Sequence, residues 1–190
     1  MGYPIIVETS ARHVHVTIEA LETLYGKGYE LHVKRYLSQP GEFLSEEKVK
    51  IEGPKGAIDN VSVLGPTRKA VQAEVSLTDA RALGVAPPIR LSGHVVGSAP
   101  VRLVGPAGSV DSKEGCVAAK RHIHLVPESA ARLGIADGQV VKVAVSGERA
   151  VVFDEVVVRV SANFADRMHI DFDEANAAGL SGETVGEIFL

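Results

Sequence analysis

The chain has 190 residues, 45% of them hydrophobic and 23% charged, with a formal net charge of -4 at pH 7. This length predicts one good hydrophobic core or two small ones, and the small net charge without runs of Lys or Arg argues against a nucleic-acid or membrane surface. No stretch approaches the roughly 20 apolar residues of a membrane span, and a single cysteine, Cys116, excludes an internal disulfide and a cysteine zinc cluster.

In chain order, short apolar strands are followed by a helix start signal, about two helical turns and a terminal glycine. These signals predict helices at residues 17–26, 78–84, 127–134 and 173–179. Further β-branched runs between Gly and Pro turns predict strands at residues 48–52, 61–64, 101–104, 140–145 and 156–160. Residues 26–46 indicate an inserted loop or hairpin. With few aromatic residues, the pattern predicts a mainly β protein of two small β-barrels capped by short α-helices.

An internal repeat is the most informative feature of the chain. Residues 11–16 return as residues 120–125, each with a His-x-His pair preceded by Arg, and residues 74–85 align without gaps to residues 169–180. Each half of the chain therefore contains two related strand-and-helix quarters. No Gly/Ser linker separates the halves, so we expect them to be tightly packed or intertwined.

Five histidines fall in the repeated segments: His13, His15, His122, His124 and His169. Because side chains alternate along a strand, both members of each His-x-His pair point to one face, which is the geometry of a metal chelate. Two copies related by a repeat favour metal ligation over the alternative of partly exposed surface histidines. His32 and His94 lie outside the repeats and are predicted to be surface residues.

Glu74 completes the set of candidate ligands, because it occupies the position equivalent to His169. Six ligands serve two metals with about three each, and catalytic zinc sites use three protein ligands while leaving a position open. Imidazole-rich ligation suits zinc, with cobalt, nickel and iron as open alternatives. The division of the ligands between the metals stays open at this point.

Four other residues are candidates for supporting roles. Arg68 precedes Glu74 by six residues, and a guanidinium near a dimetal centre suits bidentate capture of a phosphate, with a solvated surface arginine as the alternative. Arg12 and Arg121 directly precede the His-x-His pairs, so ion pairing, support of the ligands and substrate contact all remain open. Cys116 starts an apolar strand without an adjacent base, which predicts a buried structural thiol rather than a nucleophile.

Six motifs together resemble a known family. They are Ser10-Ala11-Arg12-His13-Val14-His15, Leu37-Ser38-Gln39-Pro40-Gly41, Val63-Leu64-Gly65-Pro66 with Arg68, Gln72-Ala73-Glu74, Ala119-Lys120-Arg121-His122-Ile123-His124 and Met168-His169-Ile170-Asp171. The chain is similar, over nearly its whole length, to the PduL-type phosphate propanoyltransferases. These are phosphotransacylases associated with bacterial microcompartments and fermentative acyl metabolism.

The resemblance implies a fold of two β-barrels in which the first strand joins the C-terminal half. Residues 1–11 plus 120–190 would form the first barrel, and residues 12–119 the second. It implies a two-zinc site between the barrels, bound by His13, His15, Glu74, His122, His124 and His169. It also implies that Arg68 binds the phosphate and that the protein forms a homodimer.

The implied reaction is the reversible conversion of acyl-CoA and phosphate to acyl phosphate and coenzyme A, with propanoyl or acetyl as the expected acyl group. No redox cofactor, nucleic acid or membrane is expected to take part. Our hypothesis is direct attack by phosphate, while zinc polarises the thioester carbonyl or binds the departing thiolate. An acyl-enzyme formed on Cys116 is the alternative mechanism.

Two other functions compete with this interpretation. The His-x-His pairs followed by Glu19 and Glu128 mimic the ligand spacing of a cupin-like metal oxygenase or isomerase. Both glutamates fall in the first turn of a predicted helix, where a carboxylate favours the helix dipole, rather than on a ligand-bearing strand. The second rival is a duplicated barrel that binds a metal or anion without catalysis.

The same family resemblance bears on where in the cell the protein is expected. Many microcompartment members of the family carry an N-terminal amphipathic encapsulation helix, and only a short segment precedes the first motif here. This segment also lacks the charged region and long apolar core of a secretory signal. We therefore expect a cytoplasmic protein, with the microcompartment lumen as the alternative if the helix is missing from this sequence.

Overall fold

A computed structural model describes residues 2–10 and 12–190 of the chain. These residues divide into two compact units. The first unit contains residues 2–10, 38–40 and 120–190, and the second unit contains Arg12–Leu37 and Gly41–Ala119. Residues 38–40 thus belong to the first unit, although they fall inside the 12–119 range expected for the other barrel.

Most of the described secondary structure is β. The strands are β1 Tyr3–Thr9, β2 His13–His15, β3 Val33–Tyr36, β4 Phe43–Glu52, β5 Ala57–Gly65, β6 Gln72–Val75, β7 Ile89–Arg90, β8 Ala99–Val104, β9 Ser109–Ala119, β10 His122–Leu125, β11 Val140–Val145, β12 Val151–Val160, β13 Arg167–Ile170 and β14 Thr184–Phe189. The helices are α1 Ile18–Tyr25, α2 Leu77–Leu83, α3 Pro127–Leu133 and α4 Phe172–Ala178. Among the described residues, none of these helices has the length and apolar character needed to cross a membrane.

The first unit contains a closed barrel of six strands in the order β1-β13-β10-β12-β11-β14. Strand β1 closes the barrel by pairing parallel with β13 and antiparallel with β14. The alternating strands point Val, Ile and Met side chains inward, and Ile123, Val143, Val156 and Met168 are fully buried in this core. The core fixes the backbone positions of β10 and β13, which bear candidate ligands.

The second unit contains an equivalent closed ring of six strands, β4-β5-β2-β6-β9-β8, because β8 pairs with both β4 and β9. Strand β3 adds to the edge of β4, and β7 pairs with β9. Val14, Val63, Ala73 and Leu103 are fully buried in the core of this ring. The β3–β4 pair forms a hairpin within the inserted stretch.

These observations confirm the predicted fold class of two β-barrels capped by short helices, but two helix starts were misplaced. Helix α2 begins at Leu77, one residue before the predicted signal Thr78, because its N-cap is Ser76, whose side chain accepts a hydrogen bond from the backbone of Asp79. Helix α4 is capped in the same way by Asp171 rather than starting at Asp173. In both helices the N3 carboxylate bonds back to the cap backbone, which completes a capping box.

Candidate functional site

Three predicted ligands, His13, His15 and Glu74, meet in the second unit; we name them the glutamate triad. Strand β2 pairs antiparallel with β6, and the register sets His13 opposite Glu74. Glu74 Oε1 lies 3.4 Å from His13 Nε2 and 3.9 Å from His15 Nε2. All three side chains are buried, and one ligand atom from each lies within 4.8 Å of the others. Three donors therefore converge closely enough to share one cation.

The other three predicted ligands, His122, His124 and His169, meet in the first unit and form the histidine triad. Strand β10 pairs antiparallel with β13 and sets His122 opposite His169, the same register that sets His13 opposite Glu74. The ring centroids of His122 and His169 are 5.2 Å apart, and those of His124 and His169 are 5.1 Å apart. One ligand atom from each residue again lies within 4.8 Å of the others.

The same local folding places both His-x-His pairs. Strands β2 and β10 are buried along their whole length, and each pairs parallel with one neighbour and antiparallel with the other. A helix follows at once, with its N-cap at Thr17 after β2 and at Val126 after β10. The strand is thereby fixed on both sides and at its end, so the two imidazoles of each pair have little freedom to separate.

Burial and neighbouring charged groups shift the pKa values of three candidate donors, His15, His124 and Glu74. Burial lowers the pKa of His15 well below its usual range, and the neighbouring His13 and Arg68 add to the shift. Burial, with the nearby His122 and His169, lowers the pKa of His124 to about 2. Burial acts to raise the pKa of the Glu74 carboxyl. The adjacent His13 and His15 outweigh burial, so this pKa lies well below its usual range.

The ring nitrogens of the two triads fit the needs of a metal ligand. His122 Nδ1 lies 2.9 Å from the Lys120 carbonyl oxygen, which can only accept, so Nδ1 is the donor nitrogen and Nε2 is the nitrogen suited to a cation. The Nδ1 atoms of His15 and His124 are buried without a hydrogen-bond partner among the described residues. Burying a ring with an unpaired polar nitrogen costs desolvation free energy, and a cation bound to the ring would offset that cost. Each donor set suits a zinc ion with an open coordination position.

A small hydrogen-bond network surrounds the carboxylate of the glutamate triad. Glu74 Oε1 accepts from Gln72 Nε2 at 2.6 Å and from Ser92 Oγ at 2.7 Å. Ser92 Oγ in turn accepts from Gln72 Nε2 at 2.9 Å, and Gln72 Oε1 accepts from the Gly93 backbone at 2.8 Å. These contacts hold the carboxylate in one orientation toward the imidazoles.

The predicted phosphate-binding residue, Arg68, joins this network. Its Nη1 donates to Ser92 Oγ at 3.1 Å, and Ser92 links it to Glu74. Its Nη2 forms an ion pair with Glu42 Oε1 at 2.7 Å. Its backbone N–H donates to the carbonyl of Val16, just beyond β2. The hydroxyl group of Ser92 thus links Arg68 to Glu74 of the glutamate triad. The Arg68 side chain is about one-third exposed (31%).

The two arginines that precede the His-x-His pairs form ion pairs with helix starts. Arg12 Nε lies 2.9 Å from Asp79 Oδ2, and Arg121 Nη1 lies 2.7 Å from Glu174 Oε1. Asp79 and Glu174 are the N3 residues of the capping boxes of α2 and α4. The ion-pair interpretation of both arginines therefore matches the structure.

The remaining candidates lie away from the triads. Cys116 is buried in the core of the second unit, and burial raises the pKa of its thiol to about 11. Glu19 and Glu128 are exposed in the first turns of α1 and α3, so neither completes a cupin-like ligand set. His32 and His94 are exposed as predicted, and His32 Nδ1 contacts Glu47 Oε1 at 2.8 Å.

Two side chains near the triads were missed by sequence reasoning. Ser92 sits in a loop with no repeat partner, and nothing in the local sequence indicates its contact with Glu74. Glu8, on β1, is set opposite His169 by the parallel pairing of β1 with β13. The register of β1 follows from barrel closure, so the alternating pattern of residues 3–9 alone could not identify this contact.

Comparison with known proteins identifies the family of this chain. The family model for phosphate propanoyltransferase matches residues 6–181. A phosphate propanoyltransferase of Thermotoga maritima is 51% identical over 178 residues, which cover 93% of this chain and 85% of the relative. One of Listeria monocytogenes is 46% identical over 182 residues (96% and 85%), and one of Lachnoclostridium phytofermentans is 51% identical over 188 residues (98% and 86%). The chain therefore belongs to the phosphate propanoyltransferase family.

Proposed function

We propose that this protein is a metal-dependent phosphotransacylase that exchanges phosphate and coenzyme A on a short acyl group. Its family membership supports the reaction class, because the matching family and relatives are named for phosphate propanoyl transfer. The observation that carries the proposal is the pair of buried three-donor triads, one in each unit, built on the same strand register. The substrates are then an acyl-CoA and phosphate, and the products are acyl phosphate and coenzyme A.

Each triad is proposed to hold one zinc ion. His13, His15 and Glu74 would hold one ion, and His122, His124 and His169 the other. When bound, zinc supplies a Lewis acid that polarises a carbonyl or stabilises a departing thiolate. The contribution of the chain is to keep these donors largely buried and fixed by strand pairing, so that little reorganisation is needed during the reaction.

Arg68 is proposed to bind the phosphate. Its present contact with Glu42 supports this role, because a carboxylate oxygen and a phosphate oxygen accept the same charge-assisted hydrogen bond from a guanidinium. Phosphate would replace the Glu42 oxygen at Nη2, while Ser92 continues to hold Nη1. The link from Ser92 to Glu74 would then keep the phosphate-binding group in a fixed position relative to the glutamate triad.

The proposed transfer is direct. A phosphate oxygen attacks the carbonyl carbon of the thioester, a carbon–oxygen bond forms, the carbon–sulfur bond breaks, and coenzyme A leaves as a thiolate that takes up the proton released by phosphate. An acyl-enzyme on Cys116 is disfavoured, because that thiol is buried and its pKa of about 11 leaves almost no thiolate near neutral pH. The cupin-like alternative is disfavoured by the exposed positions of Glu19 and Glu128.

The direct test is phosphate-dependent release of free thiol from propanoyl-CoA and acetyl-CoA by the zinc-loaded protein, with acyl phosphate measured in the same samples. We expect equal amounts of thiol and acyl phosphate, and no release when phosphate is left out. Release without phosphate would indicate a thioesterase. No release under any condition would favour a barrel that binds metal without catalysis.

A further inference from the structure

A carboxylate lies against the histidine triad that no part of the proposed reaction uses. Glu8 Oε2 is 3.3 Å from His169 Nε2, and both side chains are largely buried, with exposed fractions of 19% and 13%. In the glutamate triad, Glu74 Oε1 lies 3.4 Å from His13 Nε2. Each triad therefore has one carboxylate oxygen beside an imidazole nitrogen, although Glu8 comes from a different strand.

Glu8 is held in place by contacts within the first unit. Its Oε1 accepts from Arg167 Nε at 3.0 Å, and its Oε2 accepts from Ser38 Oγ at 2.6 Å. Together with His169, these two groups surround the Glu8 carboxylate on both of its oxygens.

The segment that carries Ser38 is itself anchored. Gln39 Nε2 donates to the carbonyl of Ala165 at 3.0 Å, and Gln39 Oε1 accepts from the N–H of Ala165 at 3.2 Å. Gln39 is buried. This pair of hydrogen bonds fixes Ser38 over Glu8 and gives a physical reason for the Ser38-Gln39-Pro40 motif, which the ligand set leaves unexplained.

Charge explains why a carboxylate is needed at this place. The three imidazole side chains of the histidine triad carry no negative charge, whereas the glutamate triad includes the Glu74 carboxylate. Two guanidinium groups add positive charge nearby: Arg159 Nη1 lies 3.5 Å from His124 Nε2, and Arg167 pairs with Glu8. A divalent cation in the histidine triad would be repelled by both groups unless an anion compensated for them.

We propose that Glu8 is the carboxylate partner of the histidine triad, a positioning residue that holds the His169 ring and supplies the negative charge that the triad lacks, with Ser38 holding Glu8. This inference rests on the proposed zinc sites. With Glu8 beside Nε2 of His169, Nδ1 would be the ring nitrogen that binds the cation. A carboxylate behind a ligating imidazole orients the ring and increases its basicity, and removing such a partner commonly weakens metal binding about 10- to 100-fold.

The test measures zinc binding and needs no substrate. Metal-free wild-type protein, Glu8→Gln and Glu8→Ala are titrated with zinc against a chromophoric chelator, with Glu187→Gln, an exposed carboxylate on the same barrel, as the matched control. We expect two zinc ions in each protein. One of the two affinities should fall about 10- to 100-fold in Glu8→Ala and less in Glu8→Gln, which keeps the side-chain shape. The control should keep both wild-type affinities.

The glutamate triad serves as an internal control for folding, because its affinity should stay unchanged in both Glu8 variants. Cobalt substitution adds a spectroscopic readout, in which the visible absorption of one of the two sites should change in Glu8→Ala. Unchanged zinc affinities and cobalt spectra in both Glu8 variants would overturn this inference alone. A wild-type protein that binds no zinc would instead overturn the proposed metal sites, and the inference with them.

Discussion

The Arg68 guanidinium already holds two oxygen partners, one from Glu42 and one from Ser92. If it also binds phosphate, Arg68→Ala should raise the KM for phosphate about 10- to 100-fold, the loss expected for one or two charge-assisted hydrogen bonds, with a much smaller change in the KM for propanoyl-CoA. Steady-state kinetics with each substrate varied in turn measures both effects. The exposed neighbour Lys69, changed to Ala, is the matched control for loss of a positive charge. A phosphate KM unchanged in Arg68→Ala would remove the residue from the phosphate site.

Replacing Cys116 tests whether the reaction passes through an acyl-enzyme. Because burial raises its pKa to about 11, the reactive thiolate is a minor form at pH 8, roughly one molecule in a thousand, and its fraction grows only as the pH rises toward that pKa. We expect Cys116→Ala to retain full kcat and to lose about 1 kcal/mol of stability from the small cavity left in the core. Iodoacetamide should label the native wild-type protein far more slowly than the unfolded chain. Loss of turnover in a folded Cys116→Ala protein would support an acyl-enzyme instead.

At the level of elements, each unit repeats one connection between a ligand strand and a helix. The arginine just before a His-x-His pair bonds to the N3 carboxylate of the helix that follows the third ligand, as in Arg12 with Asp79 and Arg121 with Glu174. The strand bearing two ligands is thereby tied to the element bearing the third. Ion pairs of this kind explain why both arginines point away from the histidines beside them.

The N-cap of helix α4 should make the free energy of unfolding depend on pH. Burial raises the pKa of its N-cap, Asp171, from 3.8 to about 6. A raised folded-state pKa favours the protonated form, so the stabilising contribution is complete below pH 3.8 and is lost as the pH rises through 6. Asp171→Asn keeps a good N-cap without the charge, and should be more stable than wild type at pH 7.5 by about 1 kcal/mol, after allowance for solvent screening.

Urea unfolding of the metal-free proteins at pH 3.5 and pH 7.5 measures this difference. The advantage of Asp171→Asn should be present at pH 7.5 and absent at pH 3.5. An equal difference between the two proteins at both pH values would show that Asp171 does not titrate with the raised pKa.

For the whole molecule, the internal repeat made the greater part of the fold and the grouping of the candidate ligands predictable. A His-x-His pair on a strand followed by a start signal, found twice, indicated β2, β10 and the helices α1 and α3. The alignment of residues 74–85 with residues 169–180 indicated α2 and α4, and it made Glu74 the counterpart of His169. The N-caps Ser76 and Asp171 were missed, because two nearby polar residues could cap each helix. The capping box decides between them.

Contacts between distant parts of the chain were not predictable in the same way. Ser92 and Glu74 are 18 residues apart, and Glu8 and Arg167 are 159 residues apart. Ser92, Glu8 and Arg167 all lie outside the repeated segments, and both contacts depend on how strands and loops close each barrel. Local pattern fixes which face of a strand a side chain occupies, whereas barrel closure fixes which strand lies beside it.

The central claim is that acyl transfer to phosphate depends on two zinc ions bound by the two triads. The measurement that tests it most directly follows phosphate-dependent thiol release from propanoyl-CoA while chelator-stripped protein is reloaded with zinc, with bound zinc counted in each sample. We predict that the stripped protein is inactive, and that activity returns with zinc and reaches its maximum at two ions per chain. Full activity in protein shown to contain no metal would contradict the claim.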